Sequence, residues 1–148
     1  MSNASVTNLS QLLAILRARL VVFREFQANT DDSYYRTALN FVIEDTQEAI
    51  ARTASRLRQL GERTADRTST KTLQIDLSDA REQEDLAYAL MYVWRALKEQ
   101  LTWYNTTVKT LLDDADTQAI LVALAEQNRV RLERWENLMA EMKVSPRT

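Results

Sequence analysis

Four stretches of the chain repeat apolar residues three and four positions apart, the spacing of a helix with one buried face. The clearest runs from Asp113 to Met142, where Leu121, Leu124, Asn128, Arg131, Trp135, Leu138 and Met142 form one stripe. Asn128 and Arg131 break that stripe in its middle. Two polar groups at i and i+3 on an inward face mark either a binding site or a device that fixes register.

The other stretches read in order. A first helix extends from about Asn8 to Asn29, with Asn8 and Gln11 spaced as a capping box after a loose lead-in. Its stripe is Leu9, Leu12 or Leu13, Leu16, Leu20 and Phe23. Thr30, Asp31 and Asp32 make a turn with N-cap chemistry. A second helix then runs to Leu60 on Leu39, Val42, Thr46, Ala49, Thr53 and Leu60, and stops at Gly61, suited to a left-handed C-cap. Residues 62–77 lose the helical period, and Leu73, Ile75 and Leu77 alternate with polar residues as in an extended strap. Ser78 or Asp79 caps a third helix on Leu86, Leu90, Val93, Leu97, Leu101, Tyr104, Val108 and Leu111. Asp113 and Asp114 turn the chain into the fourth, and Lys143 to Thr148 reads as a frayed tail.

The connections set the topology. Sixteen extended residues reach roughly 50 Å, whereas a helix of about 29 residues is roughly 43 Å long. The strap can therefore return along the whole bundle. The expectation is one all-α domain over 1–148, a four-helix bundle over about 8–142 with a long crossover at about 62–77 between helices 2 and 3.

Composition narrows function by exclusion. The 148 residues include one Gly, one Pro and 45% apolar residues, as suits a helical domain. The net charge of −2 provides no field to gather nucleic acid or anionic membrane, so neither is expected as a partner. There is no Cys and no His, which removes disulfides, His-dependent triads and Cys/His zinc sites. The longest apolar run, Leu20–Phe23, is too short to span a bilayer, and Arg17 and Arg19 precede it. A cytoplasmic location is expected.

The chain also repeats internally. A shift of 82 positions (113 − 31) lays Asp31–Asp32 on Asp113–Asp114, Leu39 on Leu121, Arg52 on Arg134 and Ala14 on Ala96. The same shift puts Thr46 on Asn128 and Ala49 on Arg131, at one height in both hairpins. With the segments Val42-Ile-Glu-Asp-Thr-Gln-Glu-Ala49 and Leu124-Ala-Glu-Gln-Asn-Arg-Val-Arg131, the chain resembles the ferritin-like superfamily, particularly its rubrerythrin-type members. The resemblance implies a Glu-x-x-His metal-ligand pair in each segment. Thr46 and Asn128 stand at the Glu positions, and Ala49 and Arg131 at the His positions. The carboxylates implied on helices 1 and 3 are likewise replaced by Leu16, Leu20, Leu97 and Leu101, with Arg17 and Glu99 displaced sideways. The fold is implied without its di-iron chemistry, and no cofactor is expected.

Each remaining candidate has two readings. Thr46, Ala49, Asn128 and Arg131 line either a remnant cavity for an anion or small polar ligand, or a satisfied polar pair that fixes register. Glu44, Asp45, Glu48 and Glu126 are a displaced carboxylate site or a solvated surface. Arg52, Arg56, Arg58, Arg63, Arg67 and Lys71 are a phosphate patch or, with Glu62 and Asp66 among them, a solvated face. Tyr88, Met91, Tyr92, Trp94 and Trp103 lie off the stripe of helix 3, covered by the strap or forming a subunit interface. The expected function is non-enzymatic, through a homodimer or a protein partner. The alternative is a ligand-binding or residual metal-handling protein of oxidative-stress type.

Overall fold

The computed structural model describes residues 3–62 and 86–145. They form four helices, α1 (Asn3–Ala28), α2 (Ser33–Gln59), α3 (Leu86–Val108) and α4 (Ala115–Glu141), and no strand. The expected strap with Leu73, Ile75 and Leu77, and the caps Ser78 and Asp79, lie outside the described residues.

The ends of α2 and α4 follow the capping chemistry in the sequence. The Asp32 carboxylate accepts the Tyr35 N–H at 2.9 Å, and Asp114 accepts that of Thr117 at 3.1 Å. Gly61 has φ 88°, and the N–H groups of Gly61 and Glu62 reach back to Arg58 O and Leu57 O. Lys143, with φ 59°, closes α4 by the same pattern through Ala140 O and Met139 O. The tail is therefore ordered through Val144, which packs on the core.

The start of α1 differs from expectation. The helix begins at Asn3, and Asn8 donates to Ala4 O inside it rather than capping it. Ser5 and Leu9 are fully buried and Val6 packs beside them, so burial holds the opening turns. By length and composition alone, Ala4–Ala28 is apolar enough to cross a membrane. In the bundle its Leu9, Leu12, Leu16, Val22, Phe23 and Phe26 are core residues.

Side-chain contacts give the helix directions. Arg19 meets Ala96 and Gln100 while Phe26 meets Tyr92, so α1 and α3 are antiparallel. Asn128 with Leu97 and Trp135 with Leu90 make α3 and α4 antiparallel. Asp45 with Gln127 and Arg56 with Asp114 do the same for α2 and α4. Since α1 and α2 form a hairpin, α2 and α3 run parallel on opposite corners. Glu62 and Leu86 consequently stand at opposite ends of the bundle.

Two core clusters fill the interior. One, beside the α1–α2 turn, is rich in rings: Phe23, Phe26, Tyr35, Trp94 and Trp135. The other, at the far end, is mostly Leu and Ala, with Leu9, Leu12, Leu57, Leu111, Leu121 and Leu124. α2 and α4 have bounds offset by 82 at both ends, and Asp45 touches its own counterpart, Gln127, across that offset. Such a contact between equivalent residues marks an approximate twofold axis relating the hairpins. The axis passes between the two clusters.

Candidate functional site

The layer between the clusters is polar. The Arg131 Nε donates to Asp45 Oδ2 at 2.7 Å. The Gln127 amide donates to Asp45 Oδ1 at 3.2 Å and to Glu48 Oε2 at 2.8 Å. Asn128 donates to the backbone carbonyl of Leu97 at 2.7 Å, clamping α4 to α3. Thr46 turns its hydroxyl back to Val42 O at 2.8 Å and so bonds neither Asn128 nor Arg131. The Arg131 guanidinium also lies 5.1 Å from the Phe41 ring centroid, a cation–π distance.

These side chains enclose a cavity of about 30 Å³. Thr46, Ala49, Asn128 and Arg131 all line it, together with Asp45 and Tyr104. The structure therefore brings together the four residues that interrupt or flank the apolar stripes. The space suits one or two waters and is too small for an organic ligand. Asp45, Thr46, Gln127, Asn128 and Arg131 in its lining each make a hydrogen bond within the bundle.

A second cation sits in the layer on the opposite side, where the sequence stripes placed leucines. Arg19 donates to Ala96 O at 3.1 Å and Gln100 Oε1 at 2.8 Å, with Glu99 at 3.9 Å. Burial pushes its guanidinium below the ordinary value, and the Glu99 charge opposes that shift. Gln100 is buried and its Nε2 lacks a partner. Leu20 and Leu101, expected inward, are only half-buried. The signal was a choice between adjacent stripes. The series Leu9, Leu12, Leu16, Arg19, Phe23, Phe26 keeps the three–four spacing and places Arg19 inward, while Val93, Leu97, Gln100, Tyr104 does so for Gln100.

The other candidates separate. Among the described residues no three carboxylates converge on a common point. Asp45 belongs to the layer, whereas Glu126 is exposed and pairs with Arg129 on its own helix at 2.7 Å. Arg56 leaves the solvated basic face altogether. It is half-buried at the bundle end, 2.8 Å from Asp114 and 2.9 Å from the Thr117 hydroxyl. Burial acts to raise the Asp114 carboxyl, but hydrogen bonds from Thr117 and Arg56 outweigh it and hold the group well below the usual carboxylate range. Arg52 and Arg58 are exposed, and Arg63, Arg67 and Lys71 lie outside the described residues.

The aromatic set of α3 is more internal than the sequence indicated. Trp94 is a core residue at 4% exposure, its Nε1 donating to Glu136 at 2.9 Å. Tyr92 meets Phe23 and Phe26 edge-on, and Tyr88 and Met91 pack on the same cluster. Trp103 packs on the leucine cluster beside Tyr104. The reason is that α3 contacts both α1 and α4, so its buried arc is wider than one stripe.

Burial pushes the Tyr35 and Tyr104 hydroxyls upward, away from the range of a general base near neutral pH. The layer can hold helices in register, fix a charge and admit a water. No protein-family model, curated protein or solved structure matches the chain.

Proposed function

We propose that this chain is a ferritin-like four-helix bundle, with a long crossover between its second and third helices, whose metal-ligand layer has become a structural clasp. In this reading it works in the cytoplasm without catalysis, by self-association or by binding a protein partner. The observation that carries the reading is the Asp45–Arg131 pair at 2.7 Å. A fixed guanidinium stands at the position that the resemblance gives to a metal-binding His, and a cation there repels a second cation. The parallel course of α2 and α3 supports the ferritin-like topology. The small volume of the cavity disfavours a ligand-storage role.

Aerobic incubation with ferrous iron, followed by desalting and elemental analysis, tests the proposal. The expected result is no stoichiometric iron, manganese or zinc and a melting temperature unchanged by chelator. One or two tightly held metals per chain would overturn it.

A further inference from the structure

Outside the polar layer, α2 and α4 leave a groove of about 250 Å³ on the surface. Its α2 wall is Tyr34, Thr37, Ala38 and Phe41; its α4 wall includes Arg131, Arg134, Trp135, Leu138 and Glu141. These positions follow two helical ridges, i, i+3, i+4 and i+7, over roughly 10–15 Å at about 1.5 Å per residue. The floor is apolar, with Trp135 and Leu138 buried beneath it. The rims are aromatic on one side and cationic on the other.

Three observations separate this groove from an ordinary bundle surface. Tyr34 and Phe41 are 55% and 46% exposed, two of the five large exposed apolar side chains among the described residues, and both flank this one depression. Arg131, held by Asp45 through Nε and by the Phe41 face, lines the groove as a fixed side chain. Arg134, one turn further along the wall, is exposed and makes no ion pair among the described residues. The internal repeat supplies a control. At the positions equivalent to Tyr34 and Phe41 the other end of the α2–α4 face has Asp116 and Ala123. The bundle can thus close this face without exposed rings.

We infer that this groove docks an amphipathic helix of a protein partner. That helix places an apolar i, i+4 pair on Trp135 and Leu138 and a carboxylate within reach of Arg131 and Arg134. A small molecule fits less well, because such sites bury most of their ligand, and half of this lining is solvent-exposed. A helix laid between two antiparallel helices repeats the packing of the bundle itself. Its acidic flank complements the exposed Arg134, since Arg131 is already paired with Asp45 and Glu141 accepts the Tyr34 hydroxyl. This inference rests on the partner-binding reading above and specifies its surface.

The test is a titration of isotope-labelled full-length protein, followed by amide NMR. The probe is a blocked helical peptide with Leu at i and i+4 and flanking Glu residues. The expected result is shifts confined to residues 34–41 and 131–141, with affinity about tenfold weaker for Phe41→Ala and several-fold weaker for Arg134→Gln. Both substituted side chains are exposed, and the same spectra report whether each variant keeps the fold. A twin peptide with Gln for Glu binds several-fold more weakly. Equal binding of the twin, or shifts away from the groove, would overturn the docking proposal. If the wild type is instead a dimer that Phe41→Ala dissociates, the occupant is a second copy and the partner helix is wrong. Iron loading is independent of all these outcomes, so failure of the metal-free reading is seen separately.

Discussion

The 82-residue shift makes the two ends of the α2–α4 face equivalent in backbone, yet they are closed by opposite chemistry. At one end Arg56 bridges to Asp114 and Thr117, a half-buried ion pair with a hydroxyl completing it. The equivalent residues at the other end are Leu138, Asp32 and Tyr35. There Asp32 only caps its helix, Leu138 is core, and Tyr35 meets Trp135 edge-on at 6.1 Å. The α2–α4 face is thus secured by electrostatics at one end and by aromatic burial at the other. The polar end is already complete within the chain. The aromatic end has more apolar surface than its floor consumes, and the groove between Tyr34 and Phe41 is the remainder.

This contrast can be broken most directly at Trp135. Its ring is 2% exposed and its indole donates to Leu90 O at 2.9 Å. Trp135→Ala should cost about 4 kcal/mol in urea unfolding, because it empties the centre of the aromatic cluster. A cost below about 1 kcal/mol would mean that the rings contribute little to closure.

Next in size is Asp114→Ala, expected to cost about 3 kcal/mol at neutral pH by leaving the half-buried Arg56 without its counter-charge and α4 without its cap. Asp32→Ala, losing only a cap, should cost about 1 kcal/mol. Equal losses would erase the distinction between the two ends. The pair also predicts a pH dependence. Because the folded-state Asp114 carboxyl is depressed, its stabilisation is complete above the unfolded value of about 3.9 and is lost as pH falls through the folded one. The gap between wild type and Asp114→Ala should therefore narrow below about pH 4.

The two helix exits permit a smaller test. Lys143 bears the left-handed conformation that Gly61 adopts freely, and a Cβ on Gly61 would meet nothing within 4 Å. Lys143→Gly should stabilise by about 1 kcal/mol and Gly61→Ala should destabilise by a similar amount, both through backbone conformation alone. Opposite signs in thermal unfolding would show that contacts, not φ, govern these caps.

The smallest effect is expected at the divide between the two ends. Arg131→Leu should keep the fold and change stability by under about 1 kcal/mol, since Asp45 retains Gln127 and access to water. A loss of several kcal/mol would make the clasp an essential part of the core.

The helix count, the two Asp-capped turns and the Gly61 stop were legible because they depend on local patterns of three to four residues. The break at Asn128 and Arg131 was legible for the same reason, as was its alignment with Thr46 and Ala49. Their partners were not. Nothing in the spacing of α4 says that Asn128 will reach a backbone carbonyl of α3, or that Arg131 will choose Asp45 over Gln100 or Tyr104. Arg19 and Gln100 were passed over because neighbouring leucines fit the apolar period equally well. Helix rotation decides between adjacent stripes, and it is fixed by packing from several sides at once.

Four amphipathic helices, the hairpin repeat and the absence of His and Cys could be read from the chain alone, because each follows from residue type and local period. Only the tertiary structure decided which polar residues share a layer. It also showed that Arg56 is half-buried in an ion pair with Asp114, that Trp94 is core, and that Tyr34 and Phe41 flank one groove. Those outcomes depend on contacts between residues 42 to 107 positions apart along the chain, where the free energy of burial is settled by mutual fit and not by any local pattern.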